Sequence, residues 1–279
     1  MKLVVVGAGT MGSGIAYASA ISGHEVVVVE QDQRFLDQGM RRIHDYIEKG
    51  VARGLIDGKA ATSTRSRLSG IVDFQKACQN ADIVVEAVFE DPEIKQQVFT
   101  TLDKVSPPKT ILASNTSSIS ITKLAAATHR ADKVLGLHFF NPVPIMKLVE
   151  LIRGEETSSE TVDEASKFVH TLGKTVVQSA DKTGFIVNRA LMPFINESIR
   201  LLDERVSSKE DIDKAFILGT NHPMGPLQLA DFIGLDVVHS TLKVLQAEYG
   251  ECFRPAQTLT RMVAEGSLGR KTKRGFYVY

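Results

Sequence analysis

Leu3-Val4-Val5-Val6-Gly7-Ala8-Gly9-Thr10-Met11-Gly12 is the stretch that decides the fold. Four consecutive apolar residues have the pattern of a short strand buried on both faces. The glycines follow at once, and Ile15, Ala16 and Ala20 then mark one side of a helix. A second strand is expected at residues 26–29, and Glu30 stands eighteen residues beyond Gly12. Strand, glycine turn, helix, strand and acid in this order make a dinucleotide-binding fingerprint. Gly7 permits the tight turn, Gly9 lets the backbone approach a pyrophosphate and Gly12 allows helix to pack closely on strand, with Thr10 and Met11 between them. The helix N-terminus offers amide donors and a partial positive charge to the phosphates. Glu30 is placed to accept hydrogen bonds from the adenosine ribose and to repel a 2′-phosphate, so NAD is expected over NADP, although Arg34 is an arginine near enough to accommodate that phosphate. The alternative is a turn with a purely structural role.

Outward from this turn, strand and helix patterns alternate. Residues 32–66 are polar and helical in character, with Ile43, Ile47 and Val51 at helical spacing, and Lys49 and Arg53 share one helix face. That basic pair is either a solvated face or a site for an anionic substrate handle. Strands are expected at residues 83–85 and 110–113, separated by a helix that Asp91-Pro92 opens and that carries Lys95 and Phe99. This rhythm means parallel βαβ units, whose ligands lie beyond the carboxyl ends of the strands, and it puts Glu90 and residues 115–118 at the edge of the site. Taken alone, a serine and asparagine cluster after a strand reads first as a helix cap and turn, and Asn115 and Ser117 belong to it.

His138 closes the apolar run Val134, Leu135, Leu137, and Lys147 to Ile152 forms a second run after the loop Asn141-Pro142-Val143-Pro144-Ile145. Folding the chain back about Pro144 sets His138 opposite Glu150, since each is six residues away. Opposed residues on neighbouring strands have side chains close enough to interact. Imidazole exchanges protons in either direction near neutral pH, and a carboxylate beside it fixes the tautomer and stabilises the imidazolium. The other six histidines fall on expected loops or helices with no strand-paired acid. A Ser-His-Glu hydrolase with Ser117 as nucleophile is the competing reading, but Ser117 lacks the Gly-x-Ser-x-Gly elbow and the glycine turn would have no purpose.

A helix near 159–172 and a strand at 175–177 complete this layer, and the boundary falls near residues 181–183. The fold class is therefore α/β, a Rossmann-type mostly parallel sheet over residues 1–183 followed by an all-α domain over 184–279. The second domain is expected to hold a long helix over 185–204, bent at Pro193, with Asn188 on the stripe of Leu191, Ile195 and Leu202. A further helix begins after Ser208, a long one runs from 227 to about 249, and Arg270-Lys271-Thr272-Lys273-Arg274 is expected to be a solvated tail.

Composition narrows the function classes. The chain has 279 residues, room for about two domains of ordinary size. Thirty-three basic residues balance thirty-three acidic ones, so no global field attracts nucleic acid or an anionic membrane. Cys78 and Cys252 belong to no ligand-spaced cluster, which argues against a disulfide framework or a metal site and fits a reducing compartment. No apolar run approaches the ~18 residues of a membrane span, and Met1 and Lys2 lead straight into a strand, so a cytoplasmic protein without a targeting segment is expected.

Taken together, Gly-Ala-Gly-Thr-Met-Gly at 7–12, Ser-Asn-Thr-Ser-Ser at 114–118, His-Phe-Phe-Asn-Pro-Val-Pro at 138–144, Lys-Leu-Val-Glu at 147–150, Gly-Phe-Ile-Val-Asn-Arg at 184–189, Asn-His-Pro-Met-Gly-Pro at 221–226 and Gly-Phe-Tyr at 275–277 resemble the short-chain L-3-hydroxyacyl-CoA dehydrogenases over essentially the whole chain. The resemblance implies hydride transfer between NAD and C3 of a short (S)-3-hydroxyacyl-CoA such as 3-hydroxybutyryl-CoA. It implies His138 as the base and Glu150 as its partner, with Ser117 and Asn188 hydrogen-bonding the C3 oxygen. It also sets Asn115 and Glu90 around the nicotinamide and its ribose, Lys95 on the cofactor side, and Lys49 and Arg53 against the CoA nucleotide. Arg53 stands where some relatives have lysine, and Thr183 where proline is common before Gly-Phe. A homodimer through the helical domain is implied too, in keeping with the apolar character of residues 185–204. A related sugar-acid dehydrogenase and a crystallin-like protein that binds NADH without turnover are the remaining alternatives.

Overall fold

A computed structural model describes residues 1–279, which divide into two compact units, Met1–Lys182 and Thr183–Tyr279. In the first, β1 (Lys2–Val6) passes through the glycine turn into α1 (Thr10–Ile21) and β2 (Glu25–Val29). There follow α2 (Gln33–Ala52), α3 (Gly58–Ser66), β3 (Leu68–Ile71), α4 (Phe74–Cys78), β4 (Ile83–Glu86), α5 (Pro92–Val105) and β5 (Ile111–Ser114). The unit ends with α6 (Ile121–Ala125), β6 (Val134–Phe139), β7 (Leu148–Arg153), α7 (Ser159–Thr171) and β8 (Thr175–Ala180).

The strands form one sheet in the order β3-β2-β1-β4-β5-β6-β7-β8. The first six positions repeat the order of dinucleotide-binding sheets. Every neighbouring pair is parallel except β6 and β7, so β1 to β6 point their carboxyl ends at one edge of the sheet. Local chemistry starts the helices where they start. Asp91 accepts from the amides of Glu93 and Ile94 at 2.9 and 3.0 Å, and Pro92 takes the first helical position, where a missing N–H costs nothing. β3 and α4 have no counterpart in the sequence reading. Leu-Ser-Gly-Ile holds no continuous apolar run because β3 is an edge strand with no fully buried residue, only Leu68 and Ile71 being partly covered.

The cap of α6 comes from far away. Asp181 accepts from the amides of Ile121 and Thr122 at 2.9 and 2.8 Å and from the Ser120 hydroxyl at 2.7 Å, sixty residues back along the chain. The core of this unit is continuous across the sheet, from Val28 and Val5 through Ile15 and Leu137 to Phe168.

The second unit is helical: α8 (Val187–Asp203), α9 (Lys209–Gly219), α10 (Pro226–Ile233), α11 (Leu235–Tyr249) and α12 (Gln257–Ala264). Its own core gathers Ile195, Ile199, Leu227, Leu242 and Leu259. Two expectations are corrected here. The helix expected over 227–249 is broken at Gly234, whose φ of 105° ends α10 and starts α11 in a new direction. The basic segment 270–274 is no tail. Its side chains are exposed, but its backbone makes a 3-10 turn, Gly269 pairs with Arg274, and Arg274 pairs with Val278. Buried Asp231 accepts from the amides of Phe276 and Tyr277, each at 2.9 Å, and from the Tyr279 hydroxyl at 3.1 Å. Asp213, also buried, accepts from the amides of Leu227 and Gln228 and from the Tyr277 hydroxyl. The chain end is thus laced onto α9 and α10.

α8 runs through Pro193 without ending. The amide that this helix buries is that of Asn196, 1% exposed, which donates to Arg254 O and accepts from Ala256 N. Asn188, expected to head into an apolar environment, is only half-buried in the first turn of the helix.

Candidate active site

The glycine turn is shaped by its neighbours. Gly7 has a φ of 99°, and a Cβ there would stand 2.7 Å from Ala87 O; one at Gly12 would collide with the Gly7 carbonyl. A Cβ at Gly9 would meet nothing within 4 Å, so the backbone at the start of α1 faces open space. The first amides of a helix have no partner inside it, and Gly9 supplies no side-chain cap. Thr10, Met11 and Gly12 therefore present donors where an anion can approach, and the residues fit a dinucleotide phosphate. Glu30, at the end of β2, accepts from Ala8 N at 2.9 Å through one oxygen and from Gln31 N at 3.0 Å through the other. Arg42, from α2, donates to Ala8 O at 2.9 Å and fixes the turn from the other side. Nothing in its sequence context singles Arg42 out. Arg34 is 82% exposed and paired with Asp32, whose carboxyl this contact holds down at about 2.

Next along the carboxyl edge lies a network of charges. Glu86, 0% exposed at the end of β4, accepts from Lys95 Nζ at 2.6 Å, from Ser114 Oγ at 2.6 Å and from Val88 N at 2.7 Å. Lys95, 1% exposed, also reaches Glu90 at 3.3 Å. Glu90 in turn accepts from Thr116 Oγ1 at 2.6 Å, Ser117 N at 2.9 Å, and more loosely from the Ser117 and Ser118 hydroxyls. Burial works against its charge, but the Lys95 ammonium and the Thr116 and Ser117 donors outweigh it and hold its carboxyl below the usual range. One buried lysine between two acids thus folds the segment after β5 into the turn that carries Ser117. The sequence reading missed Glu86. Its signal is a charge ending an otherwise apolar strand, Ile83-Val84-Val85-Glu86, which an interior tolerates only with partners.

The β6–β7 hairpin adds the proton chemistry. The register pairs Leu137 with Leu151, His138 with Glu150 and Phe139 with Val149. His138 Nδ1 lies 2.7 Å from Glu150 Oε2, with the carboxylate 0% exposed and the ring tilted against Phe140 at 4.5 Å between centroids. A carboxylate facing Nδ1 accepts a hydrogen bond from the proton on that nitrogen, so the neutral ring carries its lone pair on Nε2. Asn115 Oδ1 accepts from Phe139 N at 2.9 Å and ties the end of β5 to the residue after the histidine.

Lys49 and Arg53, from the end of α2, line a cavity of about 430 Å³ whose walls include Tyr17, Ile56, Pro142 and Ile145. Asn188 belongs to the second unit, in the first turn of α8.

An open parallel sheet with a phosphate-shaped turn after its first strand and an acid after its second is the architecture of dinucleotide-dependent oxidoreductases. Residues 2–182 match the NAD binding domain of 3-hydroxyacyl-CoA dehydrogenase, and residues 184–279 match the C-terminal domain of the same enzyme. A 3-hydroxybutyryl-CoA dehydrogenase of Clostridioides difficile is 44% identical over 280 residues, covering 100% of this chain and 99% of that protein. The crystal structure of Mycobacterium tuberculosis FadB2 superposes with a TM-score of 0.97 at 42% identity, covering 99% of this chain and 98% of the other. That of (S)-3-hydroxybutyryl-CoA dehydrogenase from Ralstonia eutropha superposes at 0.95 with 43% identity, covering 100% and 98%. The chain belongs to the 3-hydroxyacyl-CoA dehydrogenase family and is an NAD-binding enzyme of that type.

Removing Glu86 leaves the enclosed Lys95 ammonium with Glu90 alone, at 3.3 Å. Glu86→Gln is expected to destabilise the protein by about 3 kcal/mol or more in urea unfolding, with part of the loss recovered in Glu86→Gln/Lys95→Met. Wild-type stability in the single variant would show that the pair is dispensable.

Proposed function

We propose that this enzyme interconverts a short (S)-3-hydroxyacyl-CoA, 3-hydroxybutyryl-CoA in the first instance, and the corresponding 3-ketoacyl-CoA. The observation that carries the reading is the 2.7 Å contact between His138 Nδ1 and the enclosed carboxylate of Glu150. NAD, which the glycine turn at 7–12 and Glu30 would hold, would supply the hydride acceptor for C3. The chain supplies the proton path. In oxidation His138 removes the hydroxyl proton at Nε2 as the C3 oxygen becomes a carbonyl, and Glu150 stabilises the imidazolium that results. In reduction the same nitrogen returns the proton. Ser117 and Asn188 hydrogen-bond the C3 oxygen and orient it toward His138. Asn115 and Glu90 face the nicotinamide and its ribose, and Lys95 acts on that side through Glu90. The cavity at Lys49 and Arg53 takes the anionic nucleotide of CoA, its apolar walls covering the remainder.

The cofactor is NAD in preference to NADP, because Glu30 brings a negative charge to the ribose side and Arg34 is already paired with Asp32. The protein works as a homodimer through residues 184–279. Support for this comes from Val237 and Val244 on α11, exposed at 45% and 41% and two turns apart on one face, rather than from α8, where the large apolar residues are mostly covered. The two free cysteines, one of them exposed, fit a reducing, cytoplasmic setting.

Turnover is expected with acetoacetyl-CoA and NADH, and not with free acetoacetate or sugar acids; binding of NADH without any turnover would instead support the crystallin-like alternative. His138→Gln is expected to lower kcat by ~10² to 10⁴ with NADH binding retained, and turnover within a few-fold of wild type would remove His138 as the base. Glu150→Gln is expected to lower kcat at least about tenfold and to move the pH profile; an unmoved profile would take Glu150 out of the mechanism. For the cofactor, kcat/KM should favour NADH, and a ratio favouring NADPH would overturn the role given to Glu30. Light scattering should give twice the chain mass, falling to a monomer in Val237→Asp/Val244→Asp. A monomeric wild type would refute the dimer.

A further inference from the structure

The loop between β6 and β7, residues 140–147, lies outside the strand ladder yet supplies Pro142, Pro144 and Ile145 to the wall of the Lys49/Arg53 cavity. Something must hold it there. Its own backbone closes one turn, with Ile145 N and Met146 N both donating to Pro142 O at 2.9 and 3.0 Å. On one side it rests on α1: Val143 is 2% exposed, and its Cβ is 2.8 Å from where a side chain at Gly14 would begin. On the other side stands Lys174, in the short connection between α7 and β8 and itself part of the cavity lining. Its side chain is 8% exposed, and Nζ donates to Val143 O at 2.6 Å and to Met146 O at 2.7 Å. The next residue, Thr175, donates its amide to Lys147 O at 2.8 Å and begins β8. No carboxylate pairs with this ammonium in any of its contacts.

An ammonium drawn out of water is expensive unless it is hydrogen-bonded, and burial here pushes the Lys174 amine below its usual value. A methionine or leucine would fill the same space without that penalty. What the lysine adds is a pair of directed bonds to two carbonyls three residues apart, which no apolar side chain supplies. The bonds fall on the loop and not on the ladder. His138 is held independently, by its strand pairing and by Glu150.

We propose that Lys174 is a positioning residue for substrate binding: its ammonium fixes the β6–β7 loop as the wall of the Lys49/Arg53 cavity, so that affinity for the CoA end of the substrate depends on it while the proton chemistry does not. The proposal rests on the acyl-CoA reading of that cavity given above. It separates two functions within one hairpin, with the strands carrying the catalytic pair and the loop carrying part of the binding surface.

The test compares Lys174→Met and Lys174→Arg in the full-length enzyme by two independent readouts. In hydrogen exchange, the methionine variant should speed exchange at Ile145 and Met146 by about tenfold or more, with amides of the β6–β7 ladder unchanged. In steady-state kinetics it should raise KM for acetoacetyl-CoA about tenfold, with kcat and KM for NADH changed less than about threefold. Lys174→Arg, which keeps donors for both carbonyls, should lie nearer wild type in both. Wild-type exchange and wild-type KM in a folded methionine variant would overturn the proposal. So would a uniform fall in kcat with all KM values unchanged, the mark of a merely structural residue. Should the methionine variant not fold, Lys174→Gln, whose side chain is one bond shorter and ends in a single uncharged amide nitrogen, supplies the comparison, with faster exchange at Ile145 and Met146 and a raised KM for acetoacetyl-CoA again expected and wild-type values in both again overturning the proposal. If wild type fails to turn over acetoacetyl-CoA, the acyl-CoA reading fails by itself, and the exchange data still decide whether Lys174 holds the loop.

Discussion

A carboxylate taken into a protein interior must be met by well-placed donors, or it destabilises the fold by several kcal/mol. This sheet carries two of them, Glu86 and Glu150, both without solvent exposure and both on strands that reach the carboxyl edge region. Each organises what surrounds it. Glu86 draws Lys95 and Ser114 together, and Lys95 hands the charge on to Glu90, which gathers the Ser117 turn. Glu150 fixes the imidazole of His138 in one orientation and one tautomer. The edge is ordered by enclosed charge as much as by apolar packing.

That order depends on a single reversal of direction. Six strands run parallel and leave their carboxyl ends side by side; only β7 returns against β6. The return sets His138 at the end of its strand, beside the loop, and Glu150 in the interior of the next, with β8 covering its far side through the Glu150 and Val177 register. A parallel partner would have needed a long crossover and no such direct opposition would have arisen.

Much of this was legible because it is local or periodic. The turn at 7–12 sits between an apolar strand and a helix, and the symmetrical spacing about Pro144 is enough to oppose His138 and Glu150. What was not legible depends on contacts distant along the chain. Lys174 has no neighbour in sequence that explains it, since its partners are about thirty residues back. Glu86 looks like the end of a strand until Lys95 and Ser114 are seen beside it. The segment 270–274 reads as a charged tail because its side chains are exposed, while the backbone that Asp231 and Asp213 secure further on has no signature of its own. Gly234 was absorbed into one helical pattern because periodicity in side chains is silent about a single residue's φ. The dehydrogenase assignment was carried by motifs spread over the whole chain. Periodicity alone would have stopped at a nucleotide-binding sheet.

The distant cap of α6 has a consequence for how the chain comes together during synthesis. Residues 120–122 emerge long before Asp181, the residue that satisfies their donors. Until then the first turn of α6 has only Ser120 to cap it. A contact of such sequence separation closes late, because the loop entropy must be met before the bonds form. Asp181 is next to last in the first unit, so its docking follows the arrival of β8 and marks the completion of the sheet. The same three bonds that finish one unit therefore fasten the chain at the point where the other begins.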